Sequence, residues 1–110
     1  SIPRWADEGA AVFNEGDWEH SHQTKMFKQF VDNKQHLDTK LMLPSIDYPK
    51  PPHIIYAQGY VMTDYLVKRG GKRIFIKFLE DGPKGWDVAL KKHYGIKDAA
   101  TLHTAYLPKK

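Results

Sequence analysis

The chain has 110 residues, 41% hydrophobic and 27% charged, with no cysteine and a formal net charge of +4. This length and balance suit one folded domain with its own core, and the lack of cysteine excludes disulfides, thiolate metal ligands and cysteine nucleophiles. No apolar run approaches the roughly 18 residues of a membrane span. The basic side chains are scattered except at 68–73 and at Lys109-Lys110, too thin a footprint for a specific nucleic-acid partner. There is no initiator Met and no signal-like segment, and Ser1-Ile2 reads as a cut end. Residues 1–110 are therefore expected to form a single helical domain excised from a longer protein. Its localisation is unknown from sequence, with a secreted or cell-envelope setting left open, because absence of cysteine does not choose a compartment.

In chain order, Pro3 suits the first turn of a helix over 3–15, broken by Gly16-Asp17. At about 100° per residue, Trp5, Gly9, Val12 and Phe13 share one arc, Asp7 and Asn14 face outward, and Glu8 borders the apolar arc. A carboxylate on such a border needs a partner; the nearest by spacing is Arg4, at i−4. Asp17 is placed to cap a second helix to about Asp32, which buries Met26, Phe27, Phe30 and Val31. From about 33 to 52 the periodicity fails. Leu37, Leu41, Met42, Leu43 and Ile46 read as apolar anchors, and Pro44, Pro49, Pro51 and Pro52 forbid a long helix. Such a loop is either a cleft wall or a connector pinned by its leucines.

A helix over 53–69 follows, apolar nearly all round and so central. Gly59 inside it permits a close helix–helix approach, and Gly70-Gly71 ends it. Residues 72–79 fit an alternating strand or a helix with Ile74, Phe75, Phe78 and Leu79 inward; with no second strand to pair, they read as helix. A turn at 81–85 leads to a short helix over 86–94 with Trp86, Ala89, Leu90 and Tyr94 inward, stopped by Gly95. Asp98 caps a last helix to about Leu107. The fold class is all-α: an irregular bundle of five or six helices with a proline-rich loop at about 33–52.

By spacing alone no active site is complete. Six histidines are present, but there is no H-E-x-x-H and no pair at i, i+4 to place two ligands on one helical face. His20 and His22 read as exposed, His53 as a cap or cleft residue, and His36, His93 and His103 as surface or half-buried. No nucleophile elbow or phosphate-cradling glycine loop appears. Asp7 and Glu8 are adjacent on a helix and diverge.

One segment goes further. Pro3-Arg4-Trp5-Ala6-Asp7-Glu8-Gly9 resembles the W-x-x-E-G element of the gluzincin metallopeptidases, which include thermolysin-like enzymes, zinc aminopeptidases and the peptidase-MA-like domains of bacteria. The resemblance implies that Glu8 is the third zinc ligand, beside two histidines of an H-E-x-x-H helix whose glutamate is the general base, with Trp5 packing behind the ligand helix. Ile55-Tyr56-Ala57-Gln58-Gly59-Tyr60 is similar to the Y-x-x-G of zinc aminopeptidases, and by that likeness Tyr56 is the catalytic hydroxyl that stabilises the oxyanion. A tyrosine packed against the bundle is the equal alternative. The helical tail, at 66–71, 86–90 and 94–96, is similar to that of peptidase-MA-like domains.

The resemblance implies the C-terminal helical part of a zinc metallopeptidase that hydrolyses peptide or protein substrates. The H-E-x-x-H expected one helix before Trp5 is not among these 110 residues. They are therefore expected to be inactive alone and to hold no zinc, the cofactor belonging to the longer parent. The alternative is a non-catalytic helical binding or scaffold domain derived from the same fold.

Overall fold

The computed structural model describes residues 2–109. Six α-helices follow one another, with no strand among the described residues: α1 (Arg4–Phe13), α2 (Asp17–Asp32), α3 (Thr39–Met42), α4 (His53–Asp81), α5 (Trp86–Tyr94) and α6 (Ala99–Tyr106). A 3-10 turn at Gly82–Lys84 joins α4 to α5. This is the all-α bundle the periodicity predicts, and α4 is its axis.

α4 is two helical pieces joined at Gly71, whose φ of 85° is open to glycine and strained for other residues. The Gly70-Gly71 pair thus bends the helix, and residues 72–81 resume it at once as helix, with Phe75 and Phe78 buried. Arg69 bridges the bend, donating to the Tyr65 hydroxyl at 3.2 Å and to the Tyr94 carbonyl at 3.2 Å. The far end of α4 is tied to α5 by Asp81, which accepts from His93 at 2.7 Å and from Lys92 at 3.2 Å. These two bonds hold the Asp81 carboxyl below its ordinary range, the His93 bond contributing most.

α1 lies along the first half of α4 at the Gly9 and Gly59 positions. A Cβ at Gly59 would stand 2.6 Å from the Trp5 carbonyl oxygen, and one at Gly9 would run into the Gly59 backbone. The two backbones meet because neither residue has a side chain. This close approach seats Trp5 fully inside the molecule. Its ring meets Phe75 edge-on at 6.0 Å and Trp86 at 6.4 Å, while Phe78 packs edge-on against Trp86 at 5.3 Å and Tyr94 at 5.4 Å. Edge-to-face contacts at such spacings are the favoured aromatic geometry.

Two sequence expectations are corrected at helix ends and in the loop. Asp17 is the first residue of α2; the cap position is Gly16, in extended conformation, and no side chain caps that end. Met42 and Leu43 do anchor the 33–52 segment, but Leu41 and Ile46 are 70% and 57% exposed. The segment is pinned mainly by polar groups. Gln58, buried on α4, donates to the Leu37 carbonyl at 2.9 Å and accepts from the Leu37 amide at 2.8 Å. It also donates to the Tyr106 hydroxyl at 2.8 Å, and Thr39 shares hydrogen bonds with Tyr106 and His103. In this arrangement a glutamine clasps the loop as a backbone neighbour would, satisfying both ends of its amide.

Asp98 caps α6 as expected, accepting from the Thr101 amide at 2.8 Å, and Gly95 ends α5 in the left-handed conformation. No helix among the described residues is long and apolar enough to cross a membrane.

Candidate functional site

Glu8 sits on α1 one turn after Arg4, half-buried at the edge of the face that packs on α4. Arg4 is not its partner. The Arg4 guanidinium lies 3.7 Å from Asp7, donates to the Ile46 carbonyl at 3.1 Å and covers the Tyr48 ring at 4.5 Å. Glu8 is instead met by the loop, where the Tyr48 hydroxyl donates to its Oε2 at 2.5 Å. The border carboxylate therefore has its partner within the chain, but that partner is Tyr48 and not the Arg4 that helical spacing suggests. Periodicity could not find it, because Tyr48 lies in an aperiodic, proline-flanked segment.

The segment that carries Tyr48 is fastened to the first turn of α1. The Arg4 amide donates to the Ser45 carbonyl at 2.9 Å, and the Trp5 indole N–H donates to the Leu43 carbonyl at 3.0 Å. Trp5 thus packs behind the helix and also holds the loop in front of it. A local bond from the Asp47 amide to Ser45 Oγ, 3.2 Å, shapes the turn leading into Tyr48.

Tyr56, on the first turns of α4, is half-buried. The Tyr48 phenol is pushed above its ordinary value of 10.0 first by its hydrogen bond to Glu8, then by desolvation; Arg4 opposes the shift, and Glu8 and Tyr56 add to it. Of the two residues singled out from sequence, Glu8 is bonded to Tyr48, whereas no hydrogen bond joins Tyr56 to either of them among the described residues. Beside this group the Tyr48 ring walls a groove of about 180 Å³ with Leu41, Met42 and Ile55.

A zinc ligand must offer a deprotonated oxygen held in a fixed direction. In Glu8, Oε2 is engaged by Tyr48, and Oε1 has no hydrogen-bond partner among the described residues. The rest of a zinc site is not supplied here, since no three His, Cys, Asp or Glu side chains converge among the described residues. Glu8 stands without a converging set of candidate ligands beside it among the described residues.

The histidines lie elsewhere. His20, expected to be exposed, is half-buried: its ring stacks on Tyr60 at 4.7 Å, and Nε2 donates to the Val12 and Phe13 carbonyls at 2.9 and 3.0 Å. It closes the C-terminal end of α1, whose last carbonyls lack helical partners. His22 is exposed and stacked on Trp18, and His53 is exposed. His36, His93 and His103 are half-buried, as expected. No protein-family model, curated protein or solved structure matches this chain.

Proposed function

We propose that these residues are the C-terminal helical part of a gluzincin-like zinc metallopeptidase, with Glu8 as its third zinc ligand and Tyr56 as its oxyanion donor. The observation that carries the reading is the placement of Glu8. It is a half-buried carboxylate at the edge of α1, with one oxygen engaged by Tyr48 and the other without a hydrogen-bond partner among the described residues. That is the disposition expected of a ligand whose partners come from another helix. The two histidine ligands and the general-base glutamate would lie on an H-E-x-x-H helix preceding Ser1 in the parent protein.

When bound, zinc supplies a Lewis acid that polarises the scissile carbonyl and activates water for attack. The residues of this chain have narrower duties. Glu8 contributes negative charge and a fixed ligand direction. The Tyr56 hydroxyl donates to the carbonyl oxygen as negative charge grows on it, an interaction stronger in the transition state than in the bound substrate. The Gly9–Gly59 contact and the packing of Trp5 on Phe75 hold α1, which carries Glu8, against α4, which carries Tyr56.

Peptide hydrolysis by the parent protein tests the assignment. Tyr56→Phe is expected to lower kcat by about 10²–10³-fold with little change in KM, the loss typical of one oxyanion donor. Glu8→Gln is expected to abolish turnover. Full activity in Glu8→Gln, or a parent without H-E-x-x-H upstream of Ser1, would overturn the reading and leave a non-catalytic helical binding or scaffold domain.

A further inference from the structure

We propose that the groove between the 37–49 segment and Ile55 of α4 is a docking site for a protein segment that presents a bulky aliphatic side chain flanked by lysine or arginine. The inference is independent of any metal and of the catalytic reading of Glu8.

The groove has a volume of about 180 Å³. Met42 and Ile55, both buried, line it together with Leu41 and Tyr48, which are 70% and 48% exposed. Ile46, also exposed, stands on the same segment. A single exposed leucine needs no explanation, whereas apolar side chains gathered around a concave surface mark an interaction site. The volume lies below the roughly 300–1,000 Å³ of small-molecule sites and suits an anchoring side chain of a larger partner.

The surface is built in advance of any occupant. Gln58 holds the Leu37 amide and carbonyl at 2.8 and 2.9 Å, and Thr39 shares hydrogen bonds with His103 and Tyr106. Further on, the Trp5 indole donates to the Leu43 carbonyl at 3.0 Å and the Arg4 amide to the Ser45 carbonyl at 2.9 Å. These bonds fix the backbone on both sides of Leu41, so its side chain stays in water instead of folding inward. A wall ordered beforehand loses less freedom when a partner binds.

Charge selects the occupant. The charged residues lining the groove are Asp38 and Asp47, and no lysine or arginine lines it among the described residues. Neither aspartate takes part in an ion pair among those residues; Asp38 accepts from the Lys40 amide at 3.1 Å as the cap of α3. At the Tyr48 end, the hydroxyl bonds Glu8, and the Arg4 guanidinium over the ring lies 3.7 Å from Asp7. On a chain of net charge +4, this groove is therefore lined by acids alone. An aliphatic anchor between cationic neighbours complements both its apolar wall and its carboxylates, because rim charges set the sign of the partner. The same carboxylates repel a phosphate-bearing partner.

Fluorescence anisotropy of a short labelled peptide of alternating leucine and lysine tests the proposal, with leucine–glutamate and alanine–lysine peptides as comparators. The net charge of +4 favours the leucine–glutamate peptide at unspecific sites, so preference for leucine–lysine reports the groove. Both comparators are expected to bind about 10-fold more weakly or worse. Asp38→Asn combined with Asp47→Asn keeps the α3 cap, since asparagine caps as aspartate does. It is expected to weaken the leucine–lysine peptide about 10-fold at low salt and to reduce the salt dependence. Leu41→Ser is expected to weaken it about 10-fold, with a melting temperature within about 3 °C of wild type because the residue is exposed. Val88→Ser, at an equally exposed residue of α5, should leave binding unchanged. Equal binding of all three peptides, tighter binding of the leucine–glutamate peptide, no binding of any, or equal weakening by Val88→Ser would overturn the proposal. A concentration-dependent dimer in sedimentation that Leu41→Ser dissolves would assign the groove to a second copy of this chain and also overturn it.

Discussion

At the scale of single residues, the helix contact that places Glu8 depends on atoms that are absent. Gly59→Ala would put a methyl 2.6 Å from the Trp5 carbonyl oxygen, a backbone atom with nowhere to retreat. Alanine is the better helix former by nearly 1 kcal/mol, but overpacking at a fixed backbone contact outweighs that gain. Urea unfolding should show Gly59→Ala destabilised by at least about 2 kcal/mol. No loss would mean that α1 and α4 do not meet there. This contact was legible in the sequence, because a glycine inside a strongly apolar helix has few other reasons to persist. Glu8 and Tyr56 were legible as candidates for the same kind of reason, each standing in a short recognisable pattern. Tyr48 and Arg4 were not. The Tyr48–Glu8 bond joins residues 40 apart in sequence, and nothing in the local pattern of a proline-rich loop says which of its polar side chains turns back to the helix.

At the scale of elements, the helices follow from periodicity and the loop does not. α2, α5 and α6 lie almost where apolar spacing and glycine stops place them, and the 72–81 piece is helical because its apolar residues have a core to face. In the 33–52 segment hydrophobicity misleads. Leu41 and Ile46 are exposed while Thr39 is fully buried, because the anchoring there comes from hydrogen bonds that Gln58, Tyr106 and His103 provide. Gln58→Leu preserves bulk and helix propensity but leaves the Leu37 amide and carbonyl without their side-chain partner. It should cost about 2 kcal/mol and speed amide exchange across 33–52 well before α5 is affected. Uniform exchange changes across the molecule would instead mean that the loop is not a separately tethered unit.

At the scale of the whole molecule, stability should depend on pH with a definite sign on each side. Burial pushes the Tyr94 and Tyr106 phenols up to about 12, in Tyr106 against the hydrogen bonds from Thr39 and Gln58. The unfolded phenols titrate near 10, so the fold keeps them protonated. That stability is full below about pH 10 and is lost as pH rises toward about 12. Two groups act on the acid side. His36 has its pKa lowered by burial and by His103, so stability declines as pH falls below 6.5, where the unfolded imidazole gains a proton more readily. Asp81, held low by His93 and Lys92, contributes stability above 3.8 that is lost as pH falls through its lower folded value. Melting temperature against pH should therefore be highest between about 7 and 10. Tyr94→Phe removes a buried hydroxyl that has no partner among the described residues; it should leave neutral-pH stability equal or higher and reduce the alkaline loss. A melting temperature that stays flat up to pH 12 would contradict the burial of both phenols. The bundle, its tethered loop and the braced Tyr48 all converge on how Glu8 is held, and its proposed role as a metal ligand is the central claim. Anomalous diffraction at the zinc edge from crystals of the zinc-loaded parent protein tests it most directly. The expected result is a peak about 2.0–2.2 Å from a Glu8 carboxylate oxygen; a zinc peak coordinated without Glu8, or no peak at all, would contradict it.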